Sequence, residues 1–145
     1  MQNTDAYTVV AGVDGSPQSH EALAWAAEEA RIRGGRLVAV TAWELPILTT
    51  GGYETVSMDR EAFASVAAGL LDSALQTLTR GDVPIQTVVS HGSPAKVIIE
   101  AAKDADLVVV GSRGLGGFTG LLLGSVSANL VHHCPCTVVV VRPAR

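Results

Sequence analysis

The sequence predicts a single α/β domain over residues 1–145, a doubly wound (Rossmann-like) parallel sheet with helices on both faces. Two observations carry that expectation. Short apolar runs rich in β-branched residues, too short for helices, recur along the whole chain. Between them lie longer segments whose apolar residues repeat at helical spacing, bounded by Gly, Pro, Ser and Asp. Five such runs alternating with four such segments make a layered α/β domain, and 145 residues suffice for one core.

The first strand is read at Tyr7 to Val13, and Asp14-Gly15-Ser16-Pro17 turns the chain into a helix. Ser16 is its expected N-cap, and Pro17 sits at the first helical position, where a missing N–H costs nothing. That helix should reach about Arg33, burying Leu23, Ala26, Ala27 and Ala30, and end at Gly34-Gly35. Leu37 to Trp43 follows as a second buried strand, completing a right-handed βαβ unit. Glu44 to Ser57 has no clear pattern, and irregular stretches of that length are usually functional or mobile. A helix is predicted from Asp59 to Leu78, with Phe63, Val66, Leu70, Ala74 and Leu78 at helical spacing. Pro84 to Ser90 reads as a third strand at a sheet edge. Ser93-Pro94 opens a helix to about Lys103, with Val97, Ile98 and Ala101 inward. Leu107 to Val110 is the fourth strand, Val126 to about His133 a short helix, and Cys136 to Arg142 the last strand.

The fourth strand leads into Gly111, Gly114, Gly116, Gly117 and Gly120, and Gly124-Ser125-Val126-Ser127 closes the segment, with Ser125 as expected N-cap. A strand, a glycine-rich loop and a helix N-terminus suit a phosphate: glycines allow close backbone approach, and the helix supplies N–H groups and its dipole. No lysine precedes Ser125, which excludes a P-loop, and Gly111-x2-Gly114 is not GxGxxG. A net charge of −4 without a basic block disfavours nucleic acid as a partner. No apolar run approaches a membrane span and MQNTDAYT has no signal-peptide character, so a cytoplasmic location is expected. Cys134 and Cys136 are too close in sequence for an ordinary structural bridge and suit a reducing compartment.

Gly111-x2-Gly114, nine residues, then Gly124-Ser125 resembles the nucleotide motif of the ATP-binding branch of the universal stress protein family, with every position filled. The match is specific at residues 106–127 and at Val13-Asp14-Gly15-Ser16, and follows the general pattern over the rest of the chain. The resemblance implies strand order 3-2-1-4-5, which the pattern alone leaves open against a flavodoxin-like order. It places Asp14 near base and ribose and gives the backbone at Ala42 the adenine edge. Gly111, Ser112, Arg113 and Gly114 would wrap the sugar and α-phosphate; Gly124, Ser125, Val126 and Ser127 would present N–H groups and hydroxyls to the outer phosphates. It further implies ATP with Mg²⁺ held through the phosphates, and a homodimer through the C-terminal strand.

The function so implied is a nucleotide-dependent sensor or regulatory module, without catalytic residues. Plainer roles compete: a merely connecting loop, an Asp14 that supports its turn, a solvated Arg113. So do two other functions, a slow ATPase on the same scaffold and an interaction domain whose loop stays empty. His132, His133, Cys134 and Cys136 put four potential zinc ligands within five residues. Alternate strand residues face opposite ways, Pro135 stiffens the link and CxxC spacing is missing, so no metal centre is expected. His20 and His91 read as surface residues, and neither a Ser-His-Asp order nor a GxSxG elbow is present.

Overall fold

Alternation of side chains along β1 (Thr8–Gly12) divides the core in two, because Val9 and Ala11 face one way and Val10 the other. The computed structural model describes residues 6–45, 59–79, 81–114 and 123–143. Around β1 lie β2 (Arg36–Trp43), β3 (Ile85–His91), β4 (Leu107–Gly111) and β5 (Thr137–Val141), in the order β3-β2-β1-β4-β5. Every neighbouring pair is parallel. The order implied by the family resemblance is therefore the one found, and the flavodoxin-like alternative is not.

One face carries α1 (Pro17–Ile32) and α2 (Arg60–Gln76); the other carries α3 (Pro94–Ala101) and α4 (Ser125–His133). Against the first face α1 sets Leu23, Ala26, Ala27 and Ala30, buried as their spacing predicts, and Ala22 beside them. Four alanines on that stripe leave little side chain between helix and sheet. On the second face Val97 and Ile98 of α3 and Leu130 of α4 meet Val38, Val40, Val108 and Val110.

Several boundaries differ from expectation. The N-cap of α4 is Gly124, and Ser125 is the first helical residue, with no side chain capping the helix. Ser93 occupies the cap of α3 without a side-chain hydrogen bond, whereas Ser16 Oγ accepts from Ser19 N at 3.1 Å as a cap should. The buried stripe of α2 is Ala67, Leu71, Ala74 and Leu75; Val66 points outward at 71% exposure. Phe63 and Val66 are three apart, but the turn the sheet accepts is centred one residue later. β3 begins just after Pro84, whose carbonyl still accepts from Leu37 N at 2.9 Å. β5 excludes Cys136 and Arg142, and α3 stops before Lys103. Most of the irregular stretch read at Glu44 to Ser57 lies outside the described residues. Among the described residues no helix is long and apolar enough to cross a membrane.

Candidate nucleotide site

β1 and β4 are neighbours, yet the helix after β1 packs on one face and the helix after β4 on the other. Their C-terminal ends therefore part around a crevice, the place where open α/β sheets take ligands. The crevice is a cleft of about 630 Å³, within the usual range for small-molecule sites. Asp14, Ala42, Gly111, Arg113, Gly114, Gly124, Ser125, Val126 and Ser127, nine of the ten residues expected to bind, line it together.

Ser112, the tenth, stands behind the wall and not on it. It is 1% exposed and fastens three segments. Its N–H donates to Val141 O at 2.9 Å, and its hydroxyl donates to Gln18 Oε1 at 2.8 Å. Its carbonyl accepts from Gly124 N at 2.6 Å and from Ser127 Oγ at 2.9 Å. Arg113 N also donates to Gln18 Oε1, at 3.1 Å. One buried serine thus ties the end of β4 to β5, to α1 and to the start of α4. Ser127 is itself buried, and its hydroxyl faces the carbonyls of Ser112 and Gly124. Its contribution to the cleft is therefore mainly its backbone.

Glycine is needed at two points. A Cβ at Gly114 would collide with Asp14 Oδ2, and one at Gly111 would stand 3.0 Å from Gln18 Cβ, against α1. The first close approach brings the loop onto the carboxylate at the end of β1; the second lets α1 close over the strand. Asp14 is held from its own side as well, because its Oδ1 accepts from Ser16 N at 2.8 Å and its N–H donates to Ser19 Oγ at 3.3 Å. These bonds fix an Asx turn into α1.

The cleft lining combines two kinds of surface. Val40 and Ala42 of β2, Ile98 of α3 and Val110 of β4 make an apolar slot. On the same wall α4 begins with a glycine cap and no capping side chain. The first N–H groups of a helix have no partner within it, so those of Ser125, Val126 and Ser127 are turned outward at the positive end of its dipole. Asp14 and Arg113 are the charged side chains lining the cleft among the described residues.

Sequence reasoning missed Gln18, Pro94, Ile98 and the cleft-lining role of Ser16 and Ser19. Pro94 was legible only as a helix start and Ser16 as a cap within the Val13–Ser16 match, and nothing in the sequence marks Gln18, whose partner is 94 positions away. At the other end of α4 the expectation that the local geometry keeps the possible ligands apart is corrected for the two cysteines. Cys134 and Cys136 bring their sulfurs to 3.9 Å, but no group of three His, Cys, Asp or Glu side chains gathers among the described residues. Burial, with the Cys134 sulfur beside it, pushes the Cys136 thiol up to about 11.

The universal stress protein family model matches residues 7–142. The chain belongs to that family. A universal stress protein of Mycobacterium tuberculosis is 41% identical over 135 residues, 92% of this chain and 45% of the relative. One from Mycolicibacterium smegmatis is 40% identical over 139 residues, 93% of this chain and 45% of the relative. The chain thus spans just under half the length of these curated relatives. Among solved structures, UspA from Lactobacillus plantarum superposes with a TM-score of 0.78 at 26% identity, covering 94% of this chain and 98% of that one. A universal stress protein crystallised in complex with cAMP gives a TM-score of 0.61 at 30% identity, covering 96% of this chain and 98% of the other.

Proposed function

We propose that this universal stress protein holds ATP in the cleft between β1 and β4, as a cytoplasmic nucleotide-dependent sensor or regulatory module. The observation that carries the reading is the pairing of an apolar slot with a bare helix N-terminus in one cleft. Adenine fits the slot beside Ala42, where strand-end backbone selects its edge. The ribose lies against Asp14, whose carboxylate accepts from a hydroxyl. The α-phosphate follows Gly111 to Gly114, and the outer phosphates meet the N–H groups of Ser125 to Ser127, as anions do at helix N-termini. Arg113 supplies the positive charge.

Among the described residues the cleft lining offers one carboxylate, Asp14, which is too few for a protein-built magnesium cage. The site suits Mg²⁺ carried in on the phosphates, the usual manner for that ion. There it neutralises phosphate charge, while the chain's own N–H groups orient the nucleotide.

The relative crystallised with cAMP supports a nucleotide of adenine type and leaves phosphate number to be decided. The α4 N-terminus adds a second group of backbone N–H donors to those of the Gly111–Gly114 turn, which favours a ligand with more than one phosphate. Calorimetry with Mg·ATP, Mg·GTP, AMP and cAMP tests this. ATP should bind tightest, and Gly114→Val should abolish binding by driving a branched side chain onto Asp14. Tighter binding of cAMP or AMP overturns the triphosphate, and unchanged affinity in the variant removes the loop from the site.

A further inference from the structure

We propose that Cys134 and Cys136 form a two-thiolate site for a soft monovalent d¹⁰ cation of the copper(I) class. The pair lies away from the nucleotide cleft, where α4 hands the chain to β5. Nine residues of α4, about 13 Å of helix, separate the two places.

The backbone holds the two sulfurs side by side. Cys134 caps α4 in an extended conformation, with φ −70° and ψ 138°, and its N–H donates to Leu130 O at 2.9 Å. Pro135 fixes the next φ, and Thr137 immediately after Cys136 is paired with Leu107 of β4. The chain bends at Pro135 and Cys136, and both thiols come to one spot, half-buried beside the α3/α4 side of the core. Their sulfurs are 3.9 Å apart.

That separation is a ligand bite. With metal–sulfur bonds of about 2.3 Å, two sulfurs on one ion stand roughly 3.8 Å apart at a tetrahedral angle and about 4.6 Å apart when collinear. The pair as it stands fits a bent S–M–S unit, and small side-chain rotations open it toward a linear one. Thiolate donors select soft ions. The number of ligands then separates the candidates. Structural zinc is held by four protein donors, and no third His, Cys, Asp or Glu is gathered here among the described residues. Copper(I) is satisfied by two thiolates. The exposed His132 and His133 belong to the last turn of α4 and are not needed. Binding exchanges protons for metal: M⁺ and two thiols give an anionic bis-thiolate complex and two released protons, with no change of oxidation state.

Fully reduced protein, kept anaerobic, is titrated with copper(I) in competition with bicinchoninate, alongside zinc(II). One equivalent of copper should pass to the protein, with thiolate-to-copper absorption in the ultraviolet and a rise in melting temperature, since the ion binds the native state. Cys134→Ser and Cys136→Ser should each weaken binding by about 100-fold or more, beyond the usual loss for an outer-sphere partner. The double variant should lose the melting shift while its metal-free melt reports that it is folded. His132→Gln with His133→Gln should bind as the parent does. Copper left with the chelator, an equal uptake by the double serine variant, or zinc bound as tightly as copper would each overturn the site.

Discussion

Gln18 shows how a residue outside the cleft lining shapes the cleft. Its Oε1 takes two hydrogen bonds, from the buried Ser112 hydroxyl and from Arg113 N, and so fixes the corner at which β4 becomes the glycine loop. In Gln18→Leu both donors lose their acceptor in a part-buried place, the Ser112 hydroxyl belonging to a buried residue, and an unsatisfied buried polar group costs about 1–3 kcal/mol. Urea unfolding should register a loss of that size, and Gln18→Glu, which keeps an acceptor, should recover part of it. A change within about 0.5 kcal/mol, the range of ordinary surface substitutions, would show that the bracket is not stabilising. Gly114 and Asp14 could be singled out from sequence because their types and spacing belong to a motif. Gln18 could not, because a helical glutamine near a cap is common and only the fold brings Ser112 to it.

At the scale of elements, α2 and β5 are where sequence pattern and structure part. The apolar residues of α2 outnumber the places the sheet can bury, so spacing alone allowed two overlapping stripes. Packing against β2 and β3 selects the one with Ala67, Leu71, Ala74 and Leu75. Leu71→Ala should therefore cost about 2–5 kcal/mol in equilibrium unfolding, while Val66→Lys should stay within about 0.5 kcal/mol. Equal losses would mean the stripe is misplaced. β5 is an edge of the sheet, paired on one side with β4, and its valines are only half-buried. An unpaired edge of that kind recruits another strand, and a second copy about a two-fold axis is the proposed occupant. Because Val141 O accepts from Ser112 N, the backbone of Val139 and Val141 faces β4, and that of Val138 and Val140 faces outward. Val140→Pro should yield monomers by light scattering without breaking the β4–β5 ladder. A monomeric parent at micromolar concentration would remove the dimer.

For the whole molecule, the alternation of strands and helices was readable because each period is local, but the strand order was not. Order depends on which strand each crossover reaches, and here the family resemblance implied what pattern could not. That order decides what the site can do. With β1 and β4 adjacent, the carboxylates Asp104 and Asp106 precede β4 and lie at its far end, where Asp106 Oδ2 accepts from Thr8 N at 2.8 Å. They cannot approach a nucleotide at the C-terminal ends of the strands. Rapid phosphoryl transfer needs a group to orient the attacking water and fixed charge to neutralise the transition state. The cleft lining supplies Asp14, bound into its turn beside the ribose position, and Arg113. Glu44, exposed just past β2, follows Ala42 of the cleft wall by two residues, and Glu54 lies outside the described residues. ATP should therefore be held and not rapidly consumed. Single-turnover assays on protein saturated with labelled Mg·ATP should give rates well below about 1 s⁻¹, the low end of ordinary enzymes. A faster rate would make the protein an ATPase, and its loss in Glu44→Gln would locate the water-orienting group at the end of β2.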